Sequence, residues 1–104
     1  MAWVLLGIAG IFETAWAIGL KYSDGFSKLV PSVLTVGAMI ASIVLLSLAL
    51  KTLPVGTAYA VWTGIGAAGT AALGMYLFAE PVTMLRLGSI ALIIAGIAGL
   101  KLTA

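Results

Sequence analysis

The long uncharged stretches of this sequence constrain its fold more than any other feature. Residues 29–50 carry no charged side chain, and residues 1–20 and 58–79 carry one between them, Glu13. A helix of about 20 residues spans the ~30 Å hydrocarbon core of a bilayer. The whole chain is 63% hydrophobic and 8% charged, whereas a soluble domain is roughly 25% charged. The stretches therefore predict an all-α membrane protein.

A fourth, shorter segment lies between Arg86 and Lys101 and contains 14 uncharged residues. Long basic side chains at both ends of a span can reach outward to the interface and lengthen the effective span. We therefore expect four transmembrane helices in one domain, residues 1–104. Their expected bounds are about residues 2–20, 30–50, 58–79 and 85–103, joined by loops too short to form an extramembrane domain.

The composition excludes several classes of function. The chain has no Cys and no His, so it lacks thiol chemistry, the usual general base and the commonest metal ligand. Its net charge of +2 is too small and scattered to indicate nucleic acid binding. We expect no metal, no cofactor and no enzymatic activity.

The basic residues are divided almost evenly between the two sides of the membrane. Four spans place Lys21, Lys28 and Arg86 on one side and Lys51 and Lys101 on the other. Because the Lys and Arg bias sets orientation, three against two permits insertion in both directions. The alternative, a single orientation set by other features, stays open.

Glu13 is the one ionisable residue deep in a predicted span. Its neighbours three and four positions away share its helix face; they are Ala9, Gly10, Trp16 and Ala17. Small residues thus lie one turn before the carboxyl group, where Gly10 would make room for it, and an indole lies one turn after. This pattern predicts that Glu13 faces protein or a cavity.

A carboxylate at this depth is costly, and such residues are functional by default. No Lys or Arg lies deep in any predicted span, so the counter-ion of Glu13 is expected to be a proton or a cationic ligand. The alternative is a permanently protonated Glu13 that only bonds a neighbouring helix. Four helices enclose a pathway poorly, so we expect an oligomer, and a dimer would bring two Glu13 side chains to one site.

The third segment has one aromatic and polar side, which includes Tyr59 and Trp62. Val61, Ile65 and Ala68 are expected to face away from it. Aromatic faces attract cations where water is excluded, which adds Trp16, Tyr59 and Trp62 to the candidate site. The sequence "GIGAAG", residues 64–69, is rich in glycine. Such glycines either let helices approach closely or allow a bend.

The other two segments give weaker signals. Ser42 is the only hydroxyl near the middle of the second segment, and a mid-helix serine usually bonds the carbonyl four residues earlier. The fourth segment repeats small residues at Ala91, Ala95 and Gly99, the spacing of close helix contacts in membranes. We interpret it as an association face.

These residues together resemble the small multidrug resistance family over essentially the whole chain. The resemblance lies in the length, the four spans, "ETAWAIGLKYSDGFSKLVPS", "LKTLPVGTAYAVWTGIGAAGTA" and "AGIAGLKL". It implies a proton-coupled cation exporter of the bacterial inner membrane that works as an antiparallel, dual-topology homodimer. It assigns Glu13 to shared proton and substrate binding, Tyr59 and Trp62 to the helix-three aromatics, and Gly64 and Gly66 to a bend. By the same resemblance the fourth helix, with Ala91, Ala95 and Gly99, forms the dimer contact.

Within the family, Trp16, Ser42 and the C-terminal "GLKL" resemble the guanidinium-exporting branch. The resemblance implies that Glu13 binds guanidinium, that Ser42 orients Glu13 or the ligand, and that Trp16 and Trp62 stack on the ion. Tyr59 would offer its hydroxyl. Two alternatives stay open: a proton-coupled exporter of quaternary ammonium drugs, and a non-transporting membrane assembly subunit.

Overall fold

The computed structural model describes residues 1–103 and contains only helices as regular structure in that range. The helices are α1 (Ala2–Ser23), α2 (Leu29–Ala49), α3 (Val55–Leu77) and α4 (Met84–Thr103). All four are long and apolar enough to cross a membrane. The prediction of an all-α membrane protein with four transmembrane helices is confirmed.

Helix α1 is three residues longer than the sequence pattern suggests. Lys21 continues the helix, although its charge marked a loop in the sequence. The helix ends where Asp24 adopts a left-handed conformation with φ 49°, followed by Gly25 at φ 70° and Phe26 at φ 65°. Consecutive left-handed residues cannot continue a right-handed helix, and they turn the chain toward α2.

Helix α3 begins three residues before residue 58. Pro54 precedes the first helical residue in an extended conformation, with φ −60° and ψ 142°, and its carbonyl accepts the Ala58 N–H at 2.9 Å. Proline is pre-set for this position, where its missing N–H loses no hydrogen bond. The stretch "PVGT" therefore starts a helix, although it reads as a loop.

The helices form a thin layer rather than a closed bundle. Helix α1 packs against both α2 and α3, and α4 packs against α3. The protomer measures 40 × 34 × 17 Å, so its thickness is less than two helix diameters of about 10–12 Å each. One chain therefore leaves its helix faces open to lipid or to a partner.

The core is small and lies where the start of α1, the end of α2 and the start of α3 meet. Its buried members are Leu6, Ala9, Leu46, Ala49, Ala58 and Val61. Large apolar side chains are exposed elsewhere, including Tyr76 at 83% and Leu92 at 75%. Such exposure would favour aggregation in water but suits a lipid environment.

Candidate functional site

Glu13 lies at the contact between α1 and α3. Its side chain is half-buried and occupies the space that a side chain at Gly66 would need. A Cβ atom built on Gly66 would lie 2.7 Å from the Glu13 Cδ and 2.9 Å from its Cγ. Because Gly66 has no side chain, the carboxyl group of Glu13 can pack directly against α3. The sequence did not reveal this role of Gly66.

Gly10 does not make room for Glu13, so that expectation is wrong. A Cβ atom at Gly10 would lie 2.7 Å from the Cβ of Ile65 on α3. Gly10 instead lets α3 approach α1 closely, one turn before the carboxyl group. The face neighbours of Glu13 were read correctly from the sequence, but their partners on α3 depend on how the two helices pack.

The Glu13 carboxyl group has an oxygen without a protein partner. Its Oε2 is buried and makes no hydrogen bond within residues 1–103. The salt bridge found within residues 1–103 joins Arg86, in the first turn of α4, to Glu80 in the loop before it, so it lies at the end of a span and away from Glu13. A buried carboxylate without a basic partner is electrostatically incomplete. It offers acceptor positions to a proton or a cation.

Ser42 connects α2 to the α1 backbone at the same level. Fully buried, it donates a 2.7 Å hydrogen bond from Oγ to the Ala9 carbonyl. It also accepts one of 2.8 Å from the Trp62 Nε1. The usual bond from a mid-helix serine to its own helix is replaced by one to α1. In an α-helix the Ala9 carbonyl also accepts the N–H of Glu13, so Ser42 contacts the backbone that carries the carboxyl group.

The predicted aromatic residues are only partly brought together. The Tyr59 and Trp62 rings pack at 5.5 Å between centroids, tilted by 55°. Tyr59 is 56% exposed, so part of its side chain is open to a partner molecule. Trp16 forms no aromatic pair with them within the described chain, and its buried Nε1 has no hydrogen-bond partner there. Trp16 thus has a free donor on the same helix as Glu13.

Thr14 is a site neighbour that sequence reasoning missed. Its side chain is buried, and its hydroxyl lies 3.2 Å from the Gly10 carbonyl and 3.4 Å from the Gly66 carbonyl. The hydroxyl therefore reaches the same glycine of α3 that accommodates Glu13. The sequence did carry a signal for this role, namely a hydroxyl group in an otherwise apolar span. Serine and threonine side chains in such spans form hydrogen bonds to neighbouring helices.

The two glycines expected to form a bend lie in a continuous helix here. Helix α3 runs without interruption from Val55 to Leu77. A Cβ atom on Gly64 would lie 3.0 Å from Ile97 of α4. Gly64 therefore permits the α3–α4 contact and Gly66 the α1–α3 contact. Their role as a bend stays a prediction.

The predicted association face on α4 is free in the protomer. Ala91, Ala95 and Gly99 are all exposed, and no described residue of α4 is buried. Ile93 and Ile97 face α3 instead. The small residues thus form an open surface, and their role as a dimer contact stays a prediction.

The donor set does not suit a metal. Within residues 1–103, no three or more His, Cys, Asp and Glu side chains come close enough to hold a metal ion. The side chains predicted for the site supply a carboxylate, hydroxyl groups and aromatic faces. These are the groups that suit a small organic cation, since a carboxylate offers charge and hydrogen-bond acceptors and an aromatic ring offers its face.

Comparison with known proteins gives one consistent result. The model of the Small Multidrug Resistance protein family matches residues 1–93. A guanidinium exporter of Yersinia pseudotuberculosis is 62% identical over 102 residues, covering 98% of both chains. The guanidinium exporter of Escherichia coli strain K12 is 60% identical over 103 residues, covering 99% of this chain and 98% of its own. One from Salmonella typhimurium is 59% identical over 104 residues, covering 100% and 99%.

Proposed function

Because the chain belongs to the small multidrug resistance family, we propose that it exports guanidinium and small guanidinyl cations in exchange for protons. As a member of that family with four membrane-spanning helices, it is a multi-pass transporter of the bacterial inner membrane rather than an enzyme. The relatives that cover nearly its whole length are named guanidinium exporters. The substrate, the proton coupling and the residue roles below are our proposal.

The observation that carries this proposal is the unpartnered carboxyl group of Glu13. Its Oε2 is buried without a hydrogen bond in the described chain, and the basic side chains lie at the ends of the spans. Guanidinium is planar and carries N–H donors that match the two oxygens of a carboxylate. Glu13 therefore supplies the charge and the acceptor oxygens for this ion.

The surrounding side chains select a small, flat cation. Trp16 and Trp62 offer ring faces on which a planar ion stacks. Ser42 binds the Trp62 indole and the α1 backbone, so it orients the site rather than filling it. Tyr59, largely exposed in the protomer, offers its hydroxyl to the ion or to Glu13 of a partner.

The working unit in this proposal is an antiparallel homodimer with two Glu13 side chains around one site. A single layer 17 Å thick leaves the site open, and a second copy would close it. The free small-residue face of α4 supports a helix-to-helix contact. The charge split of three against two supports insertion of the same chain in both orientations.

Transport follows from exclusive occupancy of the Glu13 pair by protons or by the cation. Binding of one releases the other, so higher pH strengthens cation binding by mass action. Rocking of the helices against the partner exposes the site alternately to the two sides. Because the halves are antiparallel copies, the two access states are one structure with the subunit roles exchanged.

A substrate panel in proteoliposomes tests this function. We expect guanidinium and small guanidinyl ions to drive proton flux, and tetraalkylammonium ions to drive little or none. Flux with a quaternary ammonium ion but none with guanidinium would place the chain in the drug-exporting branch. No flux with either class would favour a non-transporting assembly subunit.

A further inference from the structure

A charged cavity lies between α1 and α3 at the membrane end that carries Lys21 and Arg86. It has a volume of about 410 Å³ and lies apart from Glu13. Its upper wall is formed by Lys21, Phe78, Glu80 and Arg86, and its lower wall by Ala17, Ile18, Ala67, Thr70, Ala71 and Gly74. The proposed transport cycle assigns no role to this cavity.

The charges of the upper wall favour an anion. Lys21 and Arg86 contribute two positive charges, and Glu80 contributes one negative charge. The Nζ of Lys21 lies 5.7 Å from the centre of the Phe78 ring and makes no salt bridge in the described chain. Lys21 lies in the last turn of α1 and Arg86 in the first turn of α4, and the ends of membrane-spanning helices are expected at the level of the headgroups.

The ion pair between Glu80 and Arg86 leaves donors free. Only Nη2 of Arg86 contacts a Glu80 oxygen, at 2.5 Å. The Nε of Arg86 is buried and has no hydrogen-bond partner within residues 1–103. Because Nε is enclosed by protein, a phosphate would be bound by the remaining Nη donors of the guanidinium group.

The lower wall is apolar apart from the hydroxyl of Thr70, and its residues other than Ile18 and Thr70 are alanine or glycine. Ala17 and Lys21 follow Glu13 along one face of α1, and Thr70 and Gly74 follow Gly66 along α3 at the same spacing of four. The lining residues Ala17 and Thr70 thus lie one helical turn beyond Glu13 and Gly66. A free phosphate ion would use only the charged wall, whereas an amphipathic ligand would use both.

We propose that this cavity binds the phosphate headgroup of an anionic phospholipid, with Lys21 and Arg86 on the phosphate and an acyl chain along the alanine-lined wall. Basic pockets between transmembrane helices are known to hold anionic lipid headgroups. The bound lipid seals the end of the α1–α3 groove one helical turn from Gly66 and Glu13. Lipid composition therefore adjusts how tightly these helices pack.

Native mass spectrometry of the purified full-length protein tests this site by counting retained lipids. Phosphatidylglycerol, phosphatidylcholine and soluble glycerol phosphate are titrated separately. A basic residue that contacts an anionic lipid headgroup contributes about fivefold in affinity. We expect phosphatidylglycerol to bind more tightly than phosphatidylcholine, and Lys21→Gln to weaken it by about fivefold.

Three comparisons make the test specific. Arg86→Lys keeps the positive charge beside Glu80 but removes guanidinium donors, and it should weaken phosphatidylglycerol binding too. Lys28→Gln removes the same charge at the same membrane end, outside this cavity, and should leave binding unchanged. Equal losses from Lys28→Gln and Lys21→Gln would overturn the proposal, and so would equal binding of both lipids. Glycerol phosphate binding as tightly as phosphatidylglycerol would make this a free-anion site instead.

Discussion

Ser42 of α2 donates a 2.7 Å hydrogen bond to the carbonyl of Ala9 on α1, one helical turn before Glu13. The same hydroxyl accepts the Trp62 indole N–H at 2.8 Å. One buried side chain thus joins three helices at the depth of the carboxyl group. The position of Glu13 therefore depends on α2 and α3 as well as on its own helix.

Replacing Ser42 with alanine should loosen this arrangement and weaken guanidinium binding. The change leaves the Trp62 indole N–H without its partner, and an unsatisfied buried donor costs about 1–3 kcal/mol. Thermal unfolding in detergent should show lower stability, and calorimetric titration should show weaker guanidinium binding. Ser47→Ala is the control, because Ser47 is exposed and bonds only Val44 of its own helix. Equal effects from the two variants would argue against a role for the Ser42 bonds.

Gly66→Ala should displace the Glu13 carboxyl group. The new Cβ atom would lie 2.7 Å from the Glu13 Cδ, and overpacking of this kind costs roughly 1–3 kcal/mol. We expect guanidinium affinity to fall by about tenfold or more, measured by the same titration. Gly37→Ala on α2 is the matched control, since a Cβ atom there meets nothing within 4 Å. Unchanged guanidinium affinity in Gly66→Ala would show that the site tolerates a shifted carboxyl group.

Thr14→Val should destabilise the α1–α3 contact while keeping the side-chain shape. The hydroxyl lost in this variant reaches the Gly66 carbonyl across the helix interface, and such interhelical bonds contribute about 0.6 kcal/mol in membranes. Thr35→Val is the control, because buried Thr35 bonds only the Pro31 carbonyl of its own helix. Free energies of unfolding in mixed micelles should fall more for Thr14→Val. A larger loss in Thr35→Val would contradict the assignment.

Two lysines added to the loop at residues 24–28 should fix the orientation of the chain and abolish transport. They would raise the number of basic residues on that side of the membrane from three to five, against two on the other side. Because the bias in Lys and Arg sets orientation, one orientation should then dominate. Two glutamines at the same positions are the control and should leave guanidinium transport intact. Co-expression with a chain that carries extra lysines beside Lys51 should restore transport. Full activity of the lysine variant alone, with all its subunits parallel, would refute the antiparallel dimer.

The sequence predicts the helices better than it predicts their neighbours. The lengths of the uncharged segments and the short polar loops between them were enough to predict four spans, because the thickness of the bilayer fixes how long a membrane-spanning helix must be. The predicted helix ends differ from the observed ones where local signals compete. Lys21 stays within α1 despite its charge, and α3 begins directly after Pro54, in a stretch predicted to be a loop.

The partners of the site residues could not be read from the pattern. In a membrane, lipid is as apolar as a neighbouring helix, so periodicity does not say which face meets protein. Glu13 was expected to face small residues, but the decisive one is Gly66 on α3, 53 positions away, rather than Gly10. Ser42 bonds Ala9 across helices for the same reason: this contact exists only after α1 and α2 pack.

Guanidinium-driven proton flux in proteoliposomes, compared between the unchanged chain and Glu13→Gln, tests the central claim most directly. Glutamine keeps the size of the side chain but can neither bind a proton nor balance a cation. Asp24→Asn is the control, because Asp24 is an exposed carboxylate in the loop and asparagine also tolerates its left-handed backbone. We predict flux in the unchanged chain and in Asp24→Asn, and none in Glu13→Gln. Proton flux that survives Glu13→Gln would contradict exclusive occupancy of Glu13 by proton and cation.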